Sequence, residues 1–285
     1  MQLITWNIQW CRGCDGRVSP QRIVEHARAL ADFDVLCLQE VAANMPALAG
    51  SRGENQFELL AALLPGYTAI PGAAVDALGA NGGRRVFGNL ILSRYPVLQA
   101  LRHQLPWPGD AAVPSMPRLL LEATLDTPLG PLRVMTTHLE YYSDRQRDAQ
   151  VEAIRQTHAQ ACARAHANAA NEVRDTADGP FHMYPKATAA ILTGDFNFKP
   201  DDPLLARLQA PIDDLTPSLL DLWPQLHPGQ PQPDTIGVHD REQWPEAYAC
   251  DYILASADLV PRVRQVRVDS ATRASDHQPM LVCIE

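Results

Sequence analysis

Short apolar runs rich in β-formers recur along the whole chain, at residues 3–8, 35–39, 89–92, 119–125, 132–138, 189–193, 252–254, 263–268 and 280–284. Each is bounded by turn-forming residues and reads as a strand. Helical patterns are fewer. Ser19 is placed to cap a helix with Pro20 in its first turn and Ile23, Val24, Ala27 and Leu30 on one face. Residues 57–64 form a shorter candidate, and an Ala-, Gln- and Arg-rich stretch from 144 to about 174, with Val151, Ile154 and Cys162 at helical spacing, forms the longest. Prolines at 106, 108, 114 and 117, and again from 211 to 233, mark loops, because proline cannot donate to a strand ladder. Strands that follow one another directly, as across the turn at 126–131, point to two mixed sheets packed face to face with helices outside. With 285 residues, 46% hydrophobic and 20% charged, one α/β domain over 1–285 can build its core without disulfides or structural metal.

Several strands end in residues that a buried strand would not choose. The first carries Asn7, the second runs straight into Glu40, and the run 132–138 closes on His138. The run 189–193 leads into Gly194-Asp195-Phe196-Asn197, and Ser275-Asp276-His277 precedes the last strand. Carboxylates, amides and imidazoles at strand ends gather at one rim of a sheet, where loops open a cleft. Oxygen-rich donors of this kind suit a hard cation, Mg²⁺ or Mn²⁺, over zinc. Singly, each has an ordinary explanation. Gly-Asp-Phe-Asn can be an Asx turn, Ser-Asp-His a loop cap, Asn7 the closure of a strand edge and Glu40 a strand-to-loop carboxylate. Those explanations do not account for their joint order.

The ordered set Thr5-Trp6-Asn7, Leu38-Gln39-Glu40, Gly88-Asn89-Leu90-Ile91-Leu92-Ser93, Thr137-His138-Leu139-Glu140, Gly194-Asp195-Phe196-Asn197, Asp251-Tyr252-Ile253 and Ser275-Asp276-His277 resembles the endonuclease/exonuclease/phosphatase superfamily. That superfamily includes DNase I-like nucleases, abasic-site endonucleases, sphingomyelinases and inositol-polyphosphate phosphatases. The resemblance runs from residue 3 to the end of the chain. It implies a four-layer α/β sandwich and metal-dependent hydrolysis of a phosphate ester. It further implies Glu40 as the principal metal ligand, with Asn7 and Asp276 near the same ion. Asp195 resembles the residue that orients or deprotonates the attacking water, and Asn197 a donor to the phosphate. His277 resembles the imidazole facing the scissile phosphate, with Asp251 as its carboxylate partner, and His138 a phosphate-contacting histidine. Arg118 resembles a phosphate-binding arginine; a surface charge ahead of a strand is the other reading.

The chemistry is coherent on its own terms. Phosphodiester hydrolysis needs a positioned water, neutralised non-bridging oxygens and help for the leaving oxygen. A metal at Glu40 supplies charge, while Asn197, His138 and a protonated His277 can donate to phosphate oxygens. The expected function is therefore a Mg²⁺-dependent phosphodiesterase or phosphatase, with a DNA endo- or exonuclease as the alternative. An inactive binding scaffold is the competing class, and the presence of Glu40, Asp195 and His277 weighs against it. Abasic-site endonucleases usually carry Tyr in place of His138, and a sphingomyelinase-like enzyme would want exposed apolar loops, for which Leu105-Pro106-Trp107 is the one hint.

The net charge of −9 argues against a non-specific duplex binder, leaving only a local basic groove for nucleic acid. No run approaches the roughly 18 apolar residues of a membrane span. Site residues that begin at Asn7 leave no room for a leader ahead of them, so the expected compartment is the cytoplasm, with the six cysteines reduced. Cys11 and Cys14 spell a C-x-x-C without a second pair at zinc-finger spacing, and read as part of a loop beside the site mouth. Arg84 and Arg85 read as loop arginines that could reach substrate. Arg145, Arg147 and Gln150 open the long helix and either tie it to the loop after His138 or sit solvated. Trp107, Trp223 and Trp244 lie in Pro-rich segments, as cleft lining or as loop anchors.

Overall fold

A computed structural model of the chain describes residues 1–80, 82–170 and 179–285. The elements begin with β1 (Gln2–Asn7), α1 (Pro20–Leu30), β2 (Val35–Ala43), α2 (Gln56–Leu63), β3 (Thr68–Leu78) and β4 (Arg84–Ser93). The middle of the chain gives β5 (Val97–Gln104), β6 (Leu119–Thr127), β7 (Gly130–His138), α3 (Asp144–Ala170) and β8 (Ala190–Asp195). There follow α4 (Pro203–Gln209), β9 (Leu219–Asp221), α5 (Leu222–Leu226), β10 (Asp251–Ser256), β11 (Val263–Val268) and β12 (Met280–Ile284). One sheet has the order β11-β12-β1-β2-β4-β3 and the other β5-β6-β7-β8-β10-β9. Both are mixed: β1 and β2 pair in parallel, as do β7 and β8, and the other pairings are antiparallel.

The strands are apolar on both faces, and this sets the layers. Leu3, Val35, Cys37 and Ile91 meet Leu121, Val134, Ile191 and Ile253 in the core between the sheets. Their strand neighbours face the other way. Ile4, Leu36, Leu38 and Leu90 pack under α1 and α2 through Ile23, Val24, Ala27 and Leu60. Leu120, Met135, Leu192 and Leu254 pack against Val151 and Ile154 of α3 and Leu205 of α4. The result is the helix–sheet–sheet–helix sandwich. Ser19 caps α1 by accepting from the Arg22 N–H, with Pro20 at its start. No helix among the described residues is long and apolar enough to cross a membrane.

Topology places the polar strand ends together. The carboxyl ends of the parallel pairs β1/β2 and β7/β8 lie at one end of the sandwich, and antiparallel β10 starts there, with Asp251 opposite Asp195. At this end amides join the two sheets: Gln39 Nε2 donates to Thr5 Oγ1 (3.2 Å) and to Thr136 Oγ1 (2.8 Å). Asn89 Nδ2 donates across to the Leu119 and Thr136 carbonyls. Gly194 of β8 pairs with Thr137 of β7. Its φ is +139°, and a Cβ there would lie 2.0 Å from the Thr137 carbonyl oxygen. Gly194→Ala is therefore expected to cost about 3 kcal/mol or more, read as a lower denaturant midpoint with an unchanged slope.

The structure revises several boundaries. β2 and β4 extend well beyond 35–39 and 89–92, and β3, β5 and β9, together with α4 and α5, are elements the sequence reading did not contain. The long helix ends at Ala170, and residues 171–174 of the expected span lie outside the described residues. Trp223 is not cleft lining: it lies in α5, 9% exposed, and packs in the core between the sheets.

Candidate active site

Asn7, Glu40, His138, Asp195, Asn197, Asp251, Asp276 and His277 come from six strand ends and their loops, and hydrogen bonds and charge contacts link them at one rim. Asp195, 1% exposed, is the hub. Its Oδ2 accepts from Asn7 Nδ2 at 2.9 Å and lies 3.6 Å from both His138 Nε2 and His277 Nε2. Its Oδ1 accepts from the Asn197 N–H. Phe196 turns the other way into the core under α3, so Asp195 and Asn197 share the cleft side. Asn197 has a left-handed φ of +53°, and its side-chain amide donates to the Leu139 carbonyl at 2.9 Å. One of its two amide hydrogens is thus committed to the backbone.

Glu40 also has a left-handed φ, +61°, at a bulge in β2 where pairing with β4 shifts register between Leu38 and Val41. A bulge re-aims a side chain, and here it points the carboxylate into the cleft, 18% exposed. Glu40 Oε1 accepts from Asn7 Nδ2 at 3.2 Å and lies 3.9 Å from His138 Nδ1. Burial, reinforced by the charge of Asp276 and, less strongly, of Asp195, pushes its carboxyl up to about 7. His277 offsets part of that crowding, and the remaining carboxylate repulsion is what a hard divalent ion relieves. The residues present fit such an ion.

Asp276 is held differently from Glu40. Its Oδ2 accepts from Gln9 Nε2 (2.8 Å), Trp244 Nε1 (3.0 Å) and Gln243 Nε2 (3.3 Å). Gln9 sits in a turn at Gln9–Cys11 whose three residues all have positive φ, a strained path that delivers its amide to Asp276. Neither Gln9 nor Gln243 stood out in the sequence, since each acts through a partner more than thirty residues away. Among the described residues, Asp195, Cys250 and His277 form the one close group of His, Cys and acidic ligand atoms. That group reads as a hydrogen-bonded cluster: His277 is taken by Asp251, Asp195 by Asn7, and burial lifts the Cys250 thiol so that it stays protonated and donates to Asp251.

The two histidines are in opposite states. Burial, with the positive charges of Arg118 and His277 nearby, holds His138 well below the usual imidazole range, so it is neutral. Burial acts in the same direction on His277. There it is outweighed by Asp251, whose Oδ2 lies 2.8 Å from Nδ1, and by Asp195 and Asp276, and His277 is held as a cation. Arg118 is 5% exposed; its Nε donates to Glu140 Oε2 at 3.2 Å, while its Nη1 is buried with no partner. A buried guanidinium N–H left without a partner is a donor that an anion could satisfy. Arg118 is thus no surface charge.

Other features resolve as structure. Arg147 Nη1 donates to the Glu140 and Tyr141 carbonyls, and Gln150 Oε1 accepts from the Glu140 N–H, tying α3 to the loop after His138. Arg145 reaches the Gly109 carbonyl. Arg84 pairs with Asp76 and Arg85 with the Leu78 carbonyl, inside the β3–β4 hairpin. Cys11 is buried and Cys14 donates to the Ser275 carbonyl; all six cysteines are free thiols. Trp107 is exposed in its loop and donates to Ser115.

The endonuclease/exonuclease/phosphatase family model matches residues 4–277. The chain belongs to this family. Members are hydrolytic phosphoesterases that generally depend on a divalent metal. An endonuclease/exonuclease/phosphatase from Beutenbergia cavernae is 25% identical, covers 99% of this chain and 70% of its own, and superposes with a TM-score of 0.66. A Bacteroides thetaiotaomicron mannosyl-6-phosphatase shares the fold at 16% identity, with 100% of this chain and 99% of its own covered and a TM-score of 0.66. D. rerio TDP2 complexed with single-strand DNA product shares it at 20% identity, with 99% and 97% covered and a TM-score of 0.62. No curated protein matches by sequence.

Proposed function

We propose that this family member, acting as one catalytic unit over residues 1–285 in the cytoplasm, is a divalent-metal-dependent phosphodiesterase or phosphatase. The observation that carries the reading is the convergence on Asp195 Oδ2 of an amide and two imidazoles, beside an Arg118 with a free buried N–H. Glu40, with Asn7 and Asp276 alongside, would hold a Mg²⁺ or Mn²⁺ ion, which would supply positive charge at the phosphate and the leaving oxygen when bound. Asp195 orients the water and accepts its proton as the oxygen attacks phosphorus. Neutral His138, cationic His277, the second amide hydrogen of Asn197 and Arg118 Nη1 stabilise the charge gathering on the non-bridging oxygens. The bond to the leaving oxygen breaks as the new P–O bond forms; the leaving oxygen takes a proton from solvent and Asp195 returns its own to solvent, giving an alcohol and a phosphate product.

The direct test is turnover by the purified protein with Mg²⁺ or Mn²⁺ on bis-p-nitrophenyl phosphate, p-nitrophenyl phosphate, plasmid DNA, abasic duplex and sphingomyelin. Excess EDTA should abolish turnover and either ion should restore it. Glu40→Gln should weaken the apparent metal affinity at least about tenfold with little loss of fold, measured as metal-dependent rate beside a thermal melt. Turnover that persists in EDTA would refute the mechanism.

A nuclease is the second reading, favoured by the fold shared with a DNA-bound TDP2. At a net charge of −9, cleavage of intact duplex should be weak and should need Arg118. Filter binding across a salt series tests it: tight duplex binding by metal-free protein, with a slope of several phosphates, would favour the nuclease.

A further inference from the structure

The mouth of the site carries aromatic surface that phosphate chemistry does not use. Tyr141 is 39% and Tyr142 56% exposed, and both follow directly on Glu140. Their backbone is pinned: Arg147 Nη1 donates to the Tyr141 carbonyl at 2.9 Å, and the Tyr142 N–H donates to Glu140 Oε1 at 3.0 Å. The other oxygen of that carboxylate holds Arg118. Trp244 meets them from the opposite loop, its ring 5.9 Å from Tyr141 at 80°, while Tyr141 and Tyr142 meet at 4.8 Å and 84°. Trp244 is fixed by its bond to Asp276 and by Gly237, where a Cβ would fall 2.8 Å from the Trp244 Cβ. Tyr142, the more exposed of the two tyrosines, keeps aromatic surface for a third, planar partner.

We propose that Tyr141, Tyr142 and Trp244 form a subsite that stacks a planar heteroaromatic ring of the substrate, making the preferred substrate a short phosphodiester that bears a nucleobase. This rests on the phosphoesterase reading above. The subsite is continuous with the phosphate seat, since the same Glu140 positions Arg118 and Tyr142, and the same Asp276 anchors Trp244. Every nucleobase offers a π-face, so stacking recognises the class without a hydrogen-bond code. A long strand would need many phosphates neutralised, and Lys199, which lies over the Tyr248 ring, is already paired with Glu246. A hexose would need its hydroxyls paired, and the neighbouring amide Gln243 is engaged with Asp276 and Gln9.

Two measurements test this. Hydrolysis of adenosine 5′-(methyl phosphate) and ribose 5-(methyl phosphate), followed by phosphorus NMR, compares the same ester with and without the ring. The parent should favour the nucleoside about five- to a hundredfold in kcat/KM. Tyr142→Ala should collapse that ratio, and Tyr142→Phe should keep it. Quenching of 2-aminopurine riboside 5′-monophosphate reports stacking without turnover; it should occur with Asp195→Asn protein and weaken by the same factor when Tyr142→Ala is added. Equal rates on both esters, faster turnover of a hexose 6-phosphate, or quenching indifferent to Tyr142→Ala would overturn the proposal. Quenching that depends on Tyr142, with no turnover of either ester or of any substrate in the panel above, would uphold the ring subsite and instead reject the phosphoesterase reading.

Discussion

Asp195→Asn should lower turnover by about 10²–10⁴-fold while leaving the protein folded. The carboxylate is buried, and burial, reinforced by the charge of Asp251, raises its proton affinity above that of an ordinary aspartate, although His277 pulls the other way. It is thus a better proton acceptor for water than a solvated carboxylate. An asparagine has one oxygen where aspartate has two. It can accept from the Asn197 N–H or from Asn7 Nδ2, and one of these bonds, 3.0 and 2.9 Å in the parent, is lost. That costs about 1–3 kcal/mol, offset in part because a buried charge is removed. Product phosphate should bind with little change, because Arg118, His138 and Asn197 remain. Steady-state rates, phosphate inhibition and a melting curve separate the possibilities. Turnover within tenfold of the parent would show that another group handles the water.

How much of this was visible in the sequence depends on where each residue sits. The interior strands were readable because both faces are buried: β1, β6, β7 and β12 are buried almost throughout and carry apolar runs. The missed strands β3, β5 and β9 are all at sheet edges. β3 carries Pro71 and Gly72 and alternates irregularly between exposed and buried, as an edge facing solvent permits. Residues at strand ends were conspicuous because polarity there breaks an apolar run. The groups that hold them were not. Glu140 was part of a quoted motif, yet its role as the counter-charge of Arg118 depends on a 22-residue separation closed by the β6–β7 pairing. Gln9, Gln243 and Trp244 reach Asp276 from loops whose paths no local periodicity encodes. The bulge at Glu40 is likewise a property of β2 against β4, invisible in either strand alone.

Asp251→Asn should move the alkaline limb of the rate–pH profile toward neutral pH and lower its maximum about 10²-fold. The limb follows from His277. Its imidazolium is needed at the phosphate, and Asp251, with Asp195 and Asp276, holds its pKa above the free value of about 6.5. Activity therefore falls as pH rises through the folded-state value. With the carboxylate 2.8 Å from Nδ1 replaced by an amide, burial weighs more heavily, and His277 loses its proton at lower pH. Stability has the same sign. A pKa raised by folding contributes stability that is fully present below about pH 6.5 and is lost as pH rises through the folded value. The parent should thus lose stability across that window, and Asp251→Asn should flatten the loss. Asp195→Asn also removes a charge that faces His277, so its residual rate tests the assignment from the other side: the maximum should fall further, while Asp251 still keeps the limb above its position in Asp251→Asn. Rate and melting temperature measured across pH for the parent and both variants distinguish the two roles. A limb unmoved by Asp251→Asn would mean that His277 is not the titrating cation.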